Sequence, residues 1–123
     1  AITCISFGFR AGLPAEADLV FDVRCLPNPF YITELREHSG DEACVRDWLL
    51  QYPQTQELFA KLRDLLEFLV PNYIREGKTQ LVIAIGCTGG KHRSVATAEH
   101  LGAHLRTLGY SVATIHRDKT KHA

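Results

Sequence analysis

The segment Gly86-Cys87-Thr88-Gly89-Gly90-Lys91-His92-Arg93-Ser94 gathers the residue types that hold an oxyanion. Gly86, Gly89 and Gly90 let the backbone turn sharply with its amides pointing inward. Lys91 and Arg93 bring full positive charge, and Thr88 and Ser94 bring hydroxyls. An apolar run leads into the segment and a helical pattern leaves it, so the loop stands at a helix N-terminus, where unpaired amides and the axial dipole favour an anion. Phosphate is the anion this chemistry suits. A plain strand-to-helix turn with solvated cations is the competing reading, but it leaves the coincidence of glycines, hydroxyls and cations at one helix start without a reason. His92 either hydrogen-bonds the ligand or caps the helix.

A second chemistry shares these residues. Cys87 and Arg93-Ser94 have the Cys-x5-Arg-Ser spacing of cysteine-dependent phosphatases, in which a thiolate attacks phosphorus while loop amides and the arginine hold the equatorial oxygens. Two features count against it. Gly86 stands where those enzymes usually carry histidine, and the general acid would have to be Asp22 or Asp118, neither of which has a supporting motif. The expectation is therefore a binding loop without catalysis, with Cys87 as nucleophile the alternative.

The elements that must position the loop are legible around it. Gln80 to Ile85 is almost wholly apolar, as a central parallel strand covered on both faces should be. Ser94, Ala98, Leu101 and Leu105 repeat at helical spacing from Arg93 to Leu108, Gly109 supplies a stop, and Val112 to Ile115 reads as a further strand. Upstream, Ile2 to Phe7 and Leu19 to Val23 read as buried strands separated by Gly8, Gly12 and Pro14. Pro27 and Pro29 bias Leu26 and Asn28 away from the helical region, which makes the stretch from Arg24 to Phe30 a rigid loop at a strand end. Ser39, Gly40 and Asp41 can start a helix through Cys44, Val45, Trp48 and Leu49 that Pro53 stops. A second helix buries Leu58, Leu62, Leu65 and Leu69, with Pro71 kinking or ending it and Gly77 closing the region.

This pattern predicts one α/β domain over residues 1–123: a mostly parallel sheet with flanking helices and a glycine-rich anion-binding loop at a strand-to-helix junction. Three loops, after Phe7, Val23 and Ile85, should then meet at one sheet edge. In that cluster Arg24 serves either a salt bridge with Asp22 or the ligand.

Composition narrows the partners. The 123 residues are 46% apolar and 23% charged, with 14 basic and 14 acidic side chains, so overall charge supplies no argument for nucleic acid and any RNA contact needs a local basic patch. Cys4, Cys25, Cys44 and Cys87 lack the paired spacing of a zinc site, and Cys4, Cys25 and Cys87 are expected as buried thiols. His100 and His104 stand four apart without a third ligand, so no metal is expected. No run reaches membrane-spanning length and Ala1 opens into a strand-like segment, which makes the cytoplasm the expected compartment.

Four stretches in chain order carry a likeness: Ser6-Phe7-Gly8-Phe9-Arg10, residues 18–29 (DLVFDVRCLPNP), residues 84–95 (AIGCTGGKHRSV) and His116-Arg117. From about Thr3 to about Arg117 the chain resembles the C-terminal domain of the RapZ/YvcJ family, the bacterial RNase adapter proteins. The resemblance implies a metabolite sensor that binds glucosamine-6-phosphate, contacts small regulatory RNA and self-associates as a homo-oligomer so that an RNase meets its RNA substrate. It implies that Thr88, Gly89, Gly90, His92, Arg93 and Ser94 hold the phosphate, with Arg24 and Asn28 near the sugar; Arg10 sits where the family often has a basic residue. The family's nucleotide-binding P-loop domain has no counterpart in these residues, so neither ATP nor GTP binding and no cofactor is expected of them. Phe30 stands where several members have histidine, which removes a possible hydrogen bond to the sugar. The basic tail is thin, and any RNA contact falls to Arg10, Arg117, Lys119 and Lys121, with His122 beside them.

Overall fold

A computed structural model describes residues 1–121. Four strands, β1 (Ile2–Gly8), β2 (Leu19–Asp22), β3 (Leu81–Cys87) and β4 (Val112–His116), form one sheet in the order β2-β3-β1-β4, with every neighbouring pair parallel. Helices α1 (Ala43–Leu50) and α2 (Pro53–Arg75) connect β2 to β3, and α3 (Arg93–Thr107) connects β3 to β4. His122 and Ala123 lie outside the described residues.

The strand order and the handedness of parallel connections decide where the helices go. From β2 to β3, and from β3 to β4, the chain moves in the same direction across the sheet, so right-handed crossovers put both connections on one face. From β1 to β2 it moves the other way, which sends residues 9–18 over the opposite face. The core divides accordingly. Cys4, Ile83, Ile85 and Cys87 pack with Phe59, Leu62, Leu66 and Val70 of α2 and with Ala98, Leu101 and Leu105 of α3. On the reverse face, Ile5, Phe7 and Ala84 are covered by Phe9 and Ala17. Leu66 is fully buried, and cutting it back to alanine should cost about 2–5 kcal/mol.

Several sequence expectations need correction. β2 is an edge strand, with Leu19 and Phe21 half-buried and Val20 exposed, because it has a neighbour on one side only. Pro53 starts α2 instead of stopping α1, since the first helical position needs no amide donor. Pro71 lies inside α2, which continues to Arg75, and the Asn72 side-chain amide donates to the Phe68 carbonyl at 2.7 Å on the disturbed turn. The buried face of α2 is Thr55, Phe59, Leu62, Leu66 and Val70, while Leu65 is exposed. Both stripes have helical period, and a leucine-rich helix does not announce which one faces the sheet. Cys25 is exposed on its loop, whereas burial pushes the Cys4 thiol up to about 12.

Gly40 does not start a helix either. α1 begins at Ala43, and Gly40 packs against the first turn of α3, where its amide donates to the Lys91 carbonyl at 2.9 Å. A Cβ there would collide with the His92 carbonyl and the Ala96 amide, so glycine is required by close approach.

Candidate functional site

The three expected loops do meet at the carboxyl ends of β1 and β3, around a cavity of about 350 Å³. The chain leaves these adjacent strands toward opposite faces, which is where parallel α/β sheets place their ligands. Arg10 enters from the first loop, Asn28, Phe30 and Tyr31 from the second, and Cys87, Thr88, Gly89, Lys91, His92 and Arg93 from the third.

Glycines allow the third loop to lie against the first. Gly90 has a φ of 85°, in the left-handed region, and a Cβ on it would stand 2.6 Å from the Gly8 nitrogen. A Cβ on Gly8 would in turn stand 2.5 Å from the Gly89 carbonyl carbon. The loops are pinned together by the Arg10 amide donating to the Thr88 carbonyl at 3.2 Å. Gly89 has open space where its Cβ would be. Among the described residues, the amides of residues 89–94 have no backbone or side-chain acceptor, a run of free donors that flows into the N-terminus of α3.

The charged groups divide into those available to a ligand and those already committed. The Arg10 side chain is exposed at the cavity and has no ion-pair partner among the described residues. Lys91 is largely buried, with Nζ 4.0 Å from a Glu37 carboxylate oxygen. Arg93 is 6% exposed and serves the protein first, since one terminal nitrogen donates to the Arg24 carbonyl at 2.8 Å and the Leu26 carbonyl at 3.1 Å. Its other terminal nitrogen reaches Thr88 Oγ1 at 3.4 Å, while its Nε is buried without a partner. Arg93 thus holds the second loop onto the third, a role its position at a helix start did not disclose.

Arg24 stands outside the cavity lining. Its guanidinium bonds both oxygens of Asp22, at 2.6 to 3.0 Å, and lies 4.0 Å from the centre of the Phe9 ring. That hydrogen bonding holds the Asp22 carboxyl below its ordinary range. Asn28 caps the short turn after it, accepting the Phe30 amide at 3.1 Å. His92 Nε2–H donates to the Arg36 carbonyl at 3.1 Å, and burial lowers its pKa, so a neutral ring stands at the helix start. Cys87 is 3% exposed and its thiol donates to Ser94 Oγ at 3.1 Å.

Arg36, Glu37 and Tyr31 also line the cavity and were not anticipated. Tyr31 ends a short 3-10 turn from Pro29, and Arg36 and Glu37 are drawn in by the His92 bond to the Arg36 carbonyl and by the docking of Gly40 onto α3.

The three tail cations proposed for RNA are each engaged. Arg117 pairs with Asp118 at 2.8 Å, Lys119 with Asp41 at 2.9 Å and Lys121 with Asp118 at 2.8 Å. Lys121 nonetheless reaches the cavity wall. His122 lies outside the described residues. His116, the other half of that motif, bridges Ser6 Oγ at 2.7 Å and Glu99 at 2.6 Å, tying β4 to β1 and α3.

His100 and His104 each have another partner. His100 accepts from Arg63 at 2.6 Å, burial lowers its pKa to about 4, and His104 bonds Glu67 at 2.8 Å. His38, Glu42 and Cys44 bring ligand atoms within 4.8 Å of one another, but all three are exposed and lie apart from the cavity.

Comparison with known proteins agrees with the likeness seen in the motifs. The family model described as the RapZ C-terminal domain matches residues 1–120. A nucleotide-binding protein of Clostridium novyi is 56% identical over 117 residues, which cover 95% of this chain and 40% of the relative. Nucleotide-binding proteins of Caldicellulosiruptor saccharolyticus and Halothermothrix orenii are 56% and 51% identical, over 98% of the chain in both cases and over 41% and 43% of the relatives. The chain spans about two fifths of the length of these relatives.

Proposed function

The chain belongs to the RapZ C-terminal domain family, and from that premise we propose that it binds a phosphorylated small molecule at the carboxyl ends of β1 and β3. One observation carries the reading: Gly89, Lys91, His92 and Arg93, whose amides have no acceptor among the described residues, line one cavity with Arg10. Amides at a helix start bind an oxyanion without first losing other partners, and the two cations add charge on either side. An amino-sugar phosphate such as glucosamine-6-phosphate, or a sugar nucleotide, has the anionic group this arrangement needs. The relatives' name, nucleotide-binding protein, fits a phosphate ligand, although most of each relative lies outside the matched region.

The domain acts by binding and not by hydrolysis. The Cys87 thiol donates a hydrogen bond to Ser94 Oγ and is packed into the core cluster, which suits a structural thiol. Neither aspartate is in a condition to act as an acid: Asp22 is held ionised by Arg24, and Asp118 is buried in ion pairs. The adapter role comes with this reading: ligand level would tune capture of a small RNA for an RNase, in the cytoplasm, by a self-associated domain. The support for these partners is family membership together with Arg10 free at the cavity.

Calorimetry with inorganic phosphate and glucosamine-6-phosphate tests the core claim. Lys91→Ala and Arg10→Ala should each weaken binding by about ten- to hundredfold, the loss of one charge-assisted contact. Equal affinity in wild type and both variants, or no binding by either ligand, would overturn it.

A further inference from the structure

The turn that docks onto α3 carries three metal-ligating side chains. A ring nitrogen of His38, a carboxylate oxygen of Glu42 and Sγ of Cys44 lie within 4.8 Å of one another, and among the described residues no other histidine, cysteine and carboxylate side chains form such a group. Cysteine spacing predicts no zinc site here, because Cys44 has no second cysteine beside it. Its neighbours are a histidine and a carboxylate instead.

The turn is built to present them. Glu42 stands at the N-cap of α1 yet makes no side-chain cap. Its carboxylate turns back: Oε2 accepts the Ser39 amide at 2.7 Å, and Oε1 lies 2.8 Å from His38 Nδ1. The Ser39 amide, with His38 beside it, holds this carboxyl below its ordinary range, so it is an anion at neutral pH. The Glu42 amide closes the backbone by donating to the Ser39 carbonyl at 3.0 Å, and Cys44 follows on the first turn of α1 as a free, exposed thiol. Asp41, the other acid of the turn, is taken by Lys119 at 2.9 Å.

Donor type selects the ion. Mg²⁺ and Ca²⁺ are held by oxygen, whereas a thiolate and an imidazole beside one carboxylate suit Zn²⁺, with water completing a tetrahedron. We propose that His38, Glu42 and Cys44 bind a thiophilic divalent ion of the Zn²⁺ class, and that the ion staples the turn which carries Gly40. Gly40 lies between the ligands in sequence and donates to the Lys91 carbonyl, and the Arg36 carbonyl just before them takes the His92 hydrogen bond. On binding, Cys44 Sγ loses its proton to solvent and gains the bond to the metal, with no change of oxidation state.

Titrations of the reduced chain with Co²⁺ and Zn²⁺ test the site. Co²⁺ should raise a thiolate-to-metal charge-transfer band that saturates at one ion per chain and that Zn²⁺ abolishes. The band should survive in Cys25→Ser, the control for the other exposed thiol, and be absent in Cys44→Ser. Losing even an outer partner of a metal ligand costs about ten- to hundredfold in affinity, so His38→Ala should weaken Zn²⁺ binding by about tenfold or more. Zn²⁺ should also raise the thermal midpoint of wild type in a concentration-dependent way and slow hydrogen exchange at the Gly40 amide, and do neither in Cys44→Ser. All three side chains are exposed, so equal melting of the metal-free variants is the control for folding. An ion that binds without slowing exchange at Gly40 overturns the staple alone. No band in wild type, a band that persists in Cys44→Ser, or Zn²⁺ affinity equal in wild type, His38→Ala and Cys44→Ser overturns the site.

Discussion

The carboxylate of Asp118 accepts the amide hydrogen of Gly8 at 2.8 Å, which fastens the segment after β4 to the end of β1 directly beside Gly90. Arg117 and Lys121 bond the same carboxylate. Burial alone would raise the pKa of this group, but hydrogen bonds from Arg117, Gly8 and Lys121 outweigh it and hold it at about 2.

A carboxyl that titrates lower when folded stabilises the fold above its unfolded pKa and loses that contribution as pH falls. For Asp118 the loss should run from near pH 4 down to about 2 and amount to on the order of 2 kcal/mol. Urea melts of wild type and Asp118→Asn across that range should converge as the acid is approached. Parallel curves would show that Asp118 carries no such linkage.

Arg93 and Lys91 should separate under mutation. Arg93→Ala leaves the Arg24 and Leu26 carbonyls without their donor, and we expect a stability loss of about 1.5–3 kcal/mol together with weaker phosphate binding. Lys91→Ala should weaken phosphate binding with little change in the urea midpoint, because its only ion-pair contact among the described residues is the 4.0 Å approach to Glu37. If Lys91→Ala unfolds the protein and Arg93→Ala does not, the roles are reversed.

Cys87→Ser should keep phosphate binding, since serine can replace the hydrogen bond to Ser94 within the same volume. Neither protein should hydrolyse an aryl phosphate. Turnover by wild type that vanishes in Cys87→Ser while binding persists would establish the thiolate enzyme.

RNA binding should be weak and only mildly salt-dependent. Arg117, Lys119 and Lys121 already face carboxylates, so few phosphate counterions are displaced, and Lys119→Ala/Lys121→Ala should flatten the log–log salt slope by no more than about 2. Filter binding of a structured small RNA over a salt series measures the slope. A much steeper dependence would mean that RNA breaks these pairs.

Self-association has a candidate surface. Val20, Ala84, Ile5 and Ile115 form one row across the helix-free face, and its two ends, Val20 and Ile115, are 43% and 48% exposed. Ile115→Glu should shift a dimer toward monomer in light scattering. A wild type that stays monomeric at every concentration rules the dimer out.

The strand-loop-helix unit from Leu81 to Thr107 was readable because an apolar run, three glycines and a helical repeat follow one another without ambiguity. Residues 31–42 were not readable. They have no period, and their place is set by Gly40 fitting against α3, a contact between distant segments that no local pattern encodes. The same limit applies to Arg93, whose type and position suggested a ligand contact while its partners are carbonyls contributed by the loop after β2. Arg24 was a similar choice between two roles, and Asp22 two residues away satisfies it.

Strand β1 finds its two neighbours in Leu81–Cys87 and Val112–His116, both far downstream of it. Synthesis therefore releases this apolar segment well before the two strands that cover it. Until Cys87 has emerged, Ile2, Cys4, Ile5 and Phe7 lack both neighbouring strands and can collapse onto non-native surfaces or be shielded by a chaperone. Nascent chains halted before β3 should accordingly be protease-sensitive in β1, and that strand should gain its resistance once Leu81–Cys87 has emerged.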